Sequence, residues 1–142
     1  MAADPFNLER FVAAQSPVWA EVCEELSQGR KRTHWMWFVF PQLKSLGRSE
    51  TARFYGLANA DEARAYLAHP LLRQRLLACC DSLLALEGMQ AREILGEVDS
   101  MKLRSCLTLF DAVAPEEPRF HACLLRYFDG ERDSLTLSAL RR

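Results

Sequence analysis

The chain of 142 residues is sparing with the residues that break or decorate a globular fold: six glycines, six prolines, three histidines and three lysines. So little Pro and Gly excludes a collagenous or low-complexity chain. The balance of 18 Lys+Arg against 19 Asp+Glu excludes a disordered polyelectrolyte. A formal net charge of −1 removes any global attraction to nucleic acid or to an anionic membrane. Long hydrophobic runs are also missing. The longest, Trp35 to Phe40, is six residues, against the ~18 of a membrane span. Met1-Ala2-Ala3-Asp4-Pro5 has neither the basic start nor the apolar run of a secretion signal.

The five cysteines (Cys23, Cys79, Cys80, Cys106, Cys123) form no C-x-x-C and no Cys/His cluster, so neither a zinc site nor a redox dithiol is expected. All but Cys79 fall on or near apolar helical faces and are expected in the core of a reduced, cytoplasmic protein. No Walker loop, G-x-G-x-x-G, G-x-S-x-G or H-E-x-x-H occurs. The three histidines have no metal-ligand spacing, and no cofactor is expected.

What is present is helix punctuation. Asp4-Pro5 predicts a helix start running to Gln15, and Ser16-Pro17 a second one ending at Gly29. Asn59-x-x-Glu62 resembles a capping box. Pro70 opens the longest pattern, in which Leu72, Leu76, Cys80, Leu83 and Leu84 repeat at helical spacing up to Gly88. A short turn follows from Gln90 to Gly96. Further helices are predicted from Asp99 to before Pro115, from Pro115-Glu116 to Asp129-Gly130, and from Ser134 to Leu140. With 49% hydrophobic residues and no internal repeat, residues 1–142 read as one compact all-α domain of seven or eight short helices meeting at tight corners. Trp35 to Phe40 fits a strand as well as a buried helical turn.

That segment belongs to the least average stretch of the chain. Four of the fourteen aromatics lie within six residues, directly after Arg30-Lys31-Arg32. Guanidinium groups hold phosphate or carboxylate bidentately, and indoles stack on flat rings. Arg30 and Arg32 therefore read as anion clamps, Trp35 or Trp37 as a stacking platform, and Gln42 as an amide closing a cleft. His34 supplies an imidazole, the side chain most often used as a general acid/base. The competing reading is a solvated corner whose cations sit near a helix C-terminus. On the Asp99 helix, Lys102, Ser105 and Thr108 project from one side and Arg104 from another. A Ser-Lys pair at that spacing suits nucleophilic catalysis, and an amphipathic surface accounts for it equally. Asp129 is a helix stop or a partner for the basic stretch.

The chain resembles the bacterial domain of unknown function 1810 family, to which automatic annotation sometimes attaches the word calpastatin. The resemblance rests on Asp4-Pro5-Phe6-Asn7-Leu8, Gly29 to Leu43, Leu46-Gly47-Arg48-Ser49, His69-Pro70, Asp99-x-x-Lys102-Leu103-x-Ser105 and Tyr127-Phe128-Asp129-Gly130. It covers nearly the whole chain and implies a mainly helical fold, but no activity. Where the family usually has a second serine after Ser105, this chain has Cys106, so a serine pair is not essential. Calpain inhibitors of the calpastatin kind are disordered repeats that fold on the protease, unlike this composition.

Two functional readings stand side by side. One is a pocket for a small anionic, nucleotide-like ligand. If that pocket is enzymatic, a hydrolytic or glycosidic step needs neither metal nor bound cofactor, with His34, Lys102 and Ser105 as catalytic residues and Arg30, Arg32, Trp35, Trp37 and Gln42 as ligand-binding ones. The other is a protein-interaction or homodimer module docking through exposed aromatics. Nucleic acid is disfavoured as a partner, and no membrane association is expected.

Overall fold

A computed structural model describes residues 3–141; Met1, Ala2 and Arg142 lie outside the described residues, so the N-terminal stretch read above is placed only from Ala3 onward. The eight predicted helices are all present: α1 (Glu9–Gln15), α2 (Trp19–Gln28), α5 (Ala60–Ala68), α6 (Pro70–Ala85), α7 (Ala91–Leu95), α8 (Glu97–Val113), α9 (Pro118–Phe128) and α10 (Ser134–Leu140). Two short ones join them, α3 (Met36–Val39) and α4 (Glu50–Phe54). Among the described residues there is no strand; extended pairing is confined to one parallel bridge between Leu43 and Leu57.

Several boundaries move for identifiable reasons. Asp4 does not open α1 directly. Its carboxylate accepts from the N–H groups of Leu8 (2.7 Å) and Glu9 (3.0 Å) across a turn in which Asn7 takes φ +54°. The helix therefore begins at Glu9 with its first donors satisfied from outside. Asn59 does cap α5, accepting from Glu62 N–H at 3.0 Å. Glu62, however, does not return the bond to Asn59: its carboxylate takes the Ala58 N–H (2.9 Å) and the Arg10 guanidinium (2.8 Å). Helix α9 begins at Pro118, capped by Glu117, because Pro115 and Glu116 form the preceding turn. Trp35 to Phe40 resolves as one helical turn flanked by non-helical Trp35 and Phe40.

Helix α8 is the axis of the molecule. Its residues Ser105 to Asp111 are buried without interruption, which a helix shows only when neighbours cover it on all sides. Helices α5, α7, α9 and α10 pack against it. An aromatic line crosses the core from Phe11 to Tyr66 (centroids 5.1 Å, edge-on), Phe110 (5.4 Å) and Phe120 (5.6 Å, stacked). The Tyr66 hydroxyl is satisfied by the Gln15 amide at 3.1 Å. Four cysteines are buried as expected of small hydrophobes, but not the expected four: Cys79 is in the core and Cys23 is exposed. Cys23 shares α2 with inward-facing Val22 and Leu26 yet falls just off their stripe.

Residues 42–57 form a clasp over one end of α8. Leu57 N–H donates to Gln42 O (2.9 Å) and Lys44 N–H donates to Leu57 O (2.7 Å). The two passes approach so closely that a Cβ on Gly56 would stand 2.4 Å from Lys44 Cα, so only glycine fits. Arg10 locks the clasp to the N-terminal turn by donating to the carbonyls of Phe6, Asn7, Phe54 and Gly56 and to the Glu62 carboxylate. Both members of this pair are nearly buried, and removing one leaves the other's charge without a partner. Arg10→Met should therefore lower unfolding free energy by about 3–5 kcal/mol in urea denaturation; a loss below about 1 kcal/mol would mean that the clasp holds without the pair.

Candidate functional site

The basic-aromatic block is organised by a carboxylate. Gly29 ends α2 with φ +69° and sends the chain back along the helix. Glu25, 3% exposed, then accepts the N–H groups of Arg32 (2.6 Å) and Thr33 (3.0 Å), the Thr33 hydroxyl (2.7 Å) and the Trp35 indole N–H (3.1 Å). Burial alone would raise the Glu25 pKa. The hydrogen bonds from the Thr33 hydroxyl, the backbone and the indole outweigh it and hold the carboxyl at about 2.

This arrangement sorts the block into inside and outside. Trp35 is fully buried, while Arg30, Arg32 and His34 are exposed. Among the described residues the Arg32 guanidinium pairs only with Glu24, at 3.4 Å. Lys31, between the two arginines, turns inward: its Nζ lies 2.9 Å from Asp99 and 5.1 Å from the Trp35 ring centroid. Asp99 is thus the link between the block and α8, and it also faces Lys102 at 3.8 Å.

A cavity of about 590 Å³ opens where α8 meets the clasp and the start of α10. Val98, Met101, Lys102 and Ser105 supply one wall, at i, i+3, i+4 and i+7 along α8. Gln42, Leu46, Arg48, Ser49 and Ala52 supply the opposite wall, and Asp133 and Leu135 close the end. A much smaller pocket beside it, about 10 Å³, shares Gln42, Ala52 and Lys102 and adds Trp37 and Tyr55. The Lys102 ammonium lies 5.5 Å from the Trp37 ring centroid.

Of the residues singled out in the sequence, Gln42, Lys102 and Ser105 meet in the cavity, and Trp37 adjoins it. Arg30, Arg32, His34 and Trp35 do not line it. Thr108 leaves the predicted trio: it is buried, with its hydroxyl on Arg104 O (2.7 Å) and under Asp133 N–H (2.9 Å). Arg104, expected on another face, does line the cavity. It stands three residues after Met101, a spacing that makes the two neighbours on the helix surface. His69 caps α6, its Nδ1 accepting from Leu72 N–H at 3.3 Å, and Asp129 ends α9 in the left-handed region. Among the described residues no cluster of three metal-ligating side chains forms.

Ser105 and Asp133 are joined at 3.0 Å, but Asp133 serves as the cap of α10. The same carboxylate oxygen also accepts the N–H and hydroxyl of Thr136. A carboxylate placed this way orients the serine hydroxyl while it caps the helix. The residues that sequence reasoning passed over are Arg48, Arg104, Asp133 and the exposed apolar rim. The position of Asp133 before Ser134 carried a legible capping signal. Nothing in local spacing could place Arg48 opposite Lys102.

The family model described as "Protein of unknown function (DUF1810)" matches residues 5–140. The chain belongs to that family. Among solved structures, this family member is similar to the conserved hypothetical protein Rv1873 from Mycobacterium tuberculosis, at 47% identity and a TM-score of 0.96 over 98% of this chain and 99% of the other. No curated protein matches the chain. The helical fold implied by the resemblance is the one observed.

The Glu25 anchor has a pH signature. A carboxyl held at about 2 in the fold in place of its usual 4.5 contributes roughly 3 kcal/mol above pH 5, lost as pH falls from 4.5 toward 2. Glu25→Gln should cost about 2–3 kcal/mol at pH 7 and flatten the stability profile between pH 5 and pH 2. Urea melts of both proteins across that range check this. Parallel acid limbs would assign the effect to another carboxylate.

Proposed function

We propose that this DUF1810 protein binds a small anionic ligand in the cavity between α8, the clasp and α10. The observation that carries the reading is the cation set of that cavity: Arg48, Lys102 and Arg104 from two separate elements line one concavity. Lys102 is shared with Asp99 at 3.8 Å, and Arg104 stands 3.6 Å from an exposed Glu131. Arg48 forms no ion pair among the described residues. A cavity of about 590 Å³ falls within the usual range for small-molecule sites, and Ser49, Ser105 and Gln42 add neutral polar groups beside the cations.

The basic stretch Arg30 to Arg32 supports the same site indirectly, by seating Lys31 on Asp99. Binding is favoured over hydrolysis because the carboxylate beside Ser105 is engaged in capping α10 and His34 lies on the outer surface. The homodimer reading has less support: Trp35 is buried, and Trp37 is half-buried beneath Lys102.

A thermal-shift panel of phosphates, carboxylates and nucleotides tests the proposal. A ligand at one hundred times its Kd adds about 2.7 kcal/mol, which raises the melting temperature by roughly 8 °C. Arg48→Ala, on an exposed residue, should leave the unliganded melting temperature unchanged and remove most of that rise. If no anion in the panel moves the wild-type melting temperature, or if Arg48→Ala responds as fully as wild type, the proposal fails.

A further inference from the structure

We infer that the anion bound here carries an aliphatic chain, as an alkyl phosphate or alkyl carboxylate does, and not a flat ring; this rests on the anion-binding reading above. The first observation is the rim of the cavity. Val98 is 67% exposed, Met101 58% and Leu135 66%, and all three line this one concavity. Exposed apolar side chains converging on a single cavity beside a cation cluster make an amphipathic site.

The second observation is that the cavity does not end at Leu135. It shares Leu46, Arg48 and Leu135 with a neighbouring cavity of about 320 Å³, which also has Ser138 and Ala139 in its walls. That one shares Ser45 and Ala139 with a third of about 360 Å³, bounded by Leu43, Ala58, Ala60 and Leu140. The three lie along α10 on one side and the clasp and α5 on the other. Their apolar walls are all aliphatic; no aromatic side chain lines any of them.

Charge is graded along the same line. Three cations line the first cavity beside one carboxylate, Asp133, which is engaged by Ser105 and Thr136; Arg48 also borders the second cavity, and the far end carries Asp61, paired with Arg64 at 3.0 Å. A ligand with an acidic head at Arg48, Lys102 and Arg104 and a chain running past Leu135 toward Ala139 matches both gradients. A nucleobase would find no ring to stack on. Trp37, the one indole nearby, faces a space of about 10 Å³, too small for any ring.

Isothermal titration of the full chain with inorganic phosphate, AMP and alkyl phosphates from butyl to dodecyl, each below its micelle concentration, tests this. Affinity should rise up to about fourfold for each methylene that becomes buried, and dodecyl phosphate should bind more tightly than AMP. Dodecyltrimethylammonium, with the same chain and opposite charge, should not bind. Ser138→Trp, at an exposed position lining the second cavity, should abolish the gain beyond the short chains and leave butyl phosphate within about twofold. The wild-type series is independent of that variant's folding. Binding of phosphate with no dependence on chain length, or tighter binding of AMP, overturns the inference and leaves the anion pocket standing. Equal binding of the cationic amphiphile also overturns it. Failure of every anion to bind removes both.

Discussion

A single buried carboxylate, Glu25, sets the arrangement from which the candidate site follows. It collects four donors from residues 32–35, and a carboxylate buried without such donors would be costly. With them, it holds in place the reversal that Gly29 begins after α2 and fastens the indole of buried Trp35, next to the single turn of α3. Trp37 then lies against Lys102, and Lys31 is drawn to Asp99 at the start of α8. Cations that look like one cluster in the sequence are thereby separated, one inward and two outward.

The other determinant is the contrast between the two ends of α8. In its C-terminal half, Ser105 to Asp111 are buried without interruption, against apolar neighbours and against Asp133 and Arg132. Its N-terminal half faces the clasp, a segment too short and too tightly looped to fill the space. The clasp is held by its own backbone bonds, by Arg10 and by the side chains of Leu43 and Leu57, which are buried in the core. A concavity between a rigid helix and a backbone-braced loop is the kind of place where a ligand meets preorganised groups. The polar interior is satisfied throughout: among the described residues no buried side-chain nitrogen or oxygen lacks a hydrogen-bond partner. The polar groups of the cavity therefore do not signal defective packing.

This has a bearing on chemistry as well as binding. Ser105, the most reactive-looking residue of the cavity, is held by the carboxylate that caps α10. The buried thiols of Cys79 and Cys106 are pushed up by burial, away from reactivity. What the cavity itself presents is charge, hydroxyl and aliphatic surface.

Helix content and the order of the eight main helices were legible because Asp, Asn, Ser, Pro and Gly at helix ends act within one turn, and apolar spacing needs only neighbours in the chain. Asn59, Pro70, Gly29 and Gly96 behave as their local chemistry dictates. Helix α4 was not legible, and α3 only as one of two alternatives, a strand or a buried helical turn, since one or two turns carry too little periodicity. Of the site, Lys102, Ser105, Trp37 and Gln42 could be singled out by residue type, and α8 spacing put the first two on one face. Their meeting with Arg48, Arg104 and the α10 cap could not be read, because it depends on contacts between residues far apart in sequence. The sequence by itself determined a charge-balanced helical domain and where its unusual chemistry is concentrated. Only the tertiary structure decided which of those groups face a common cavity, because a buried carboxylate on a different helix chooses which way each side chain of the basic-aromatic block turns.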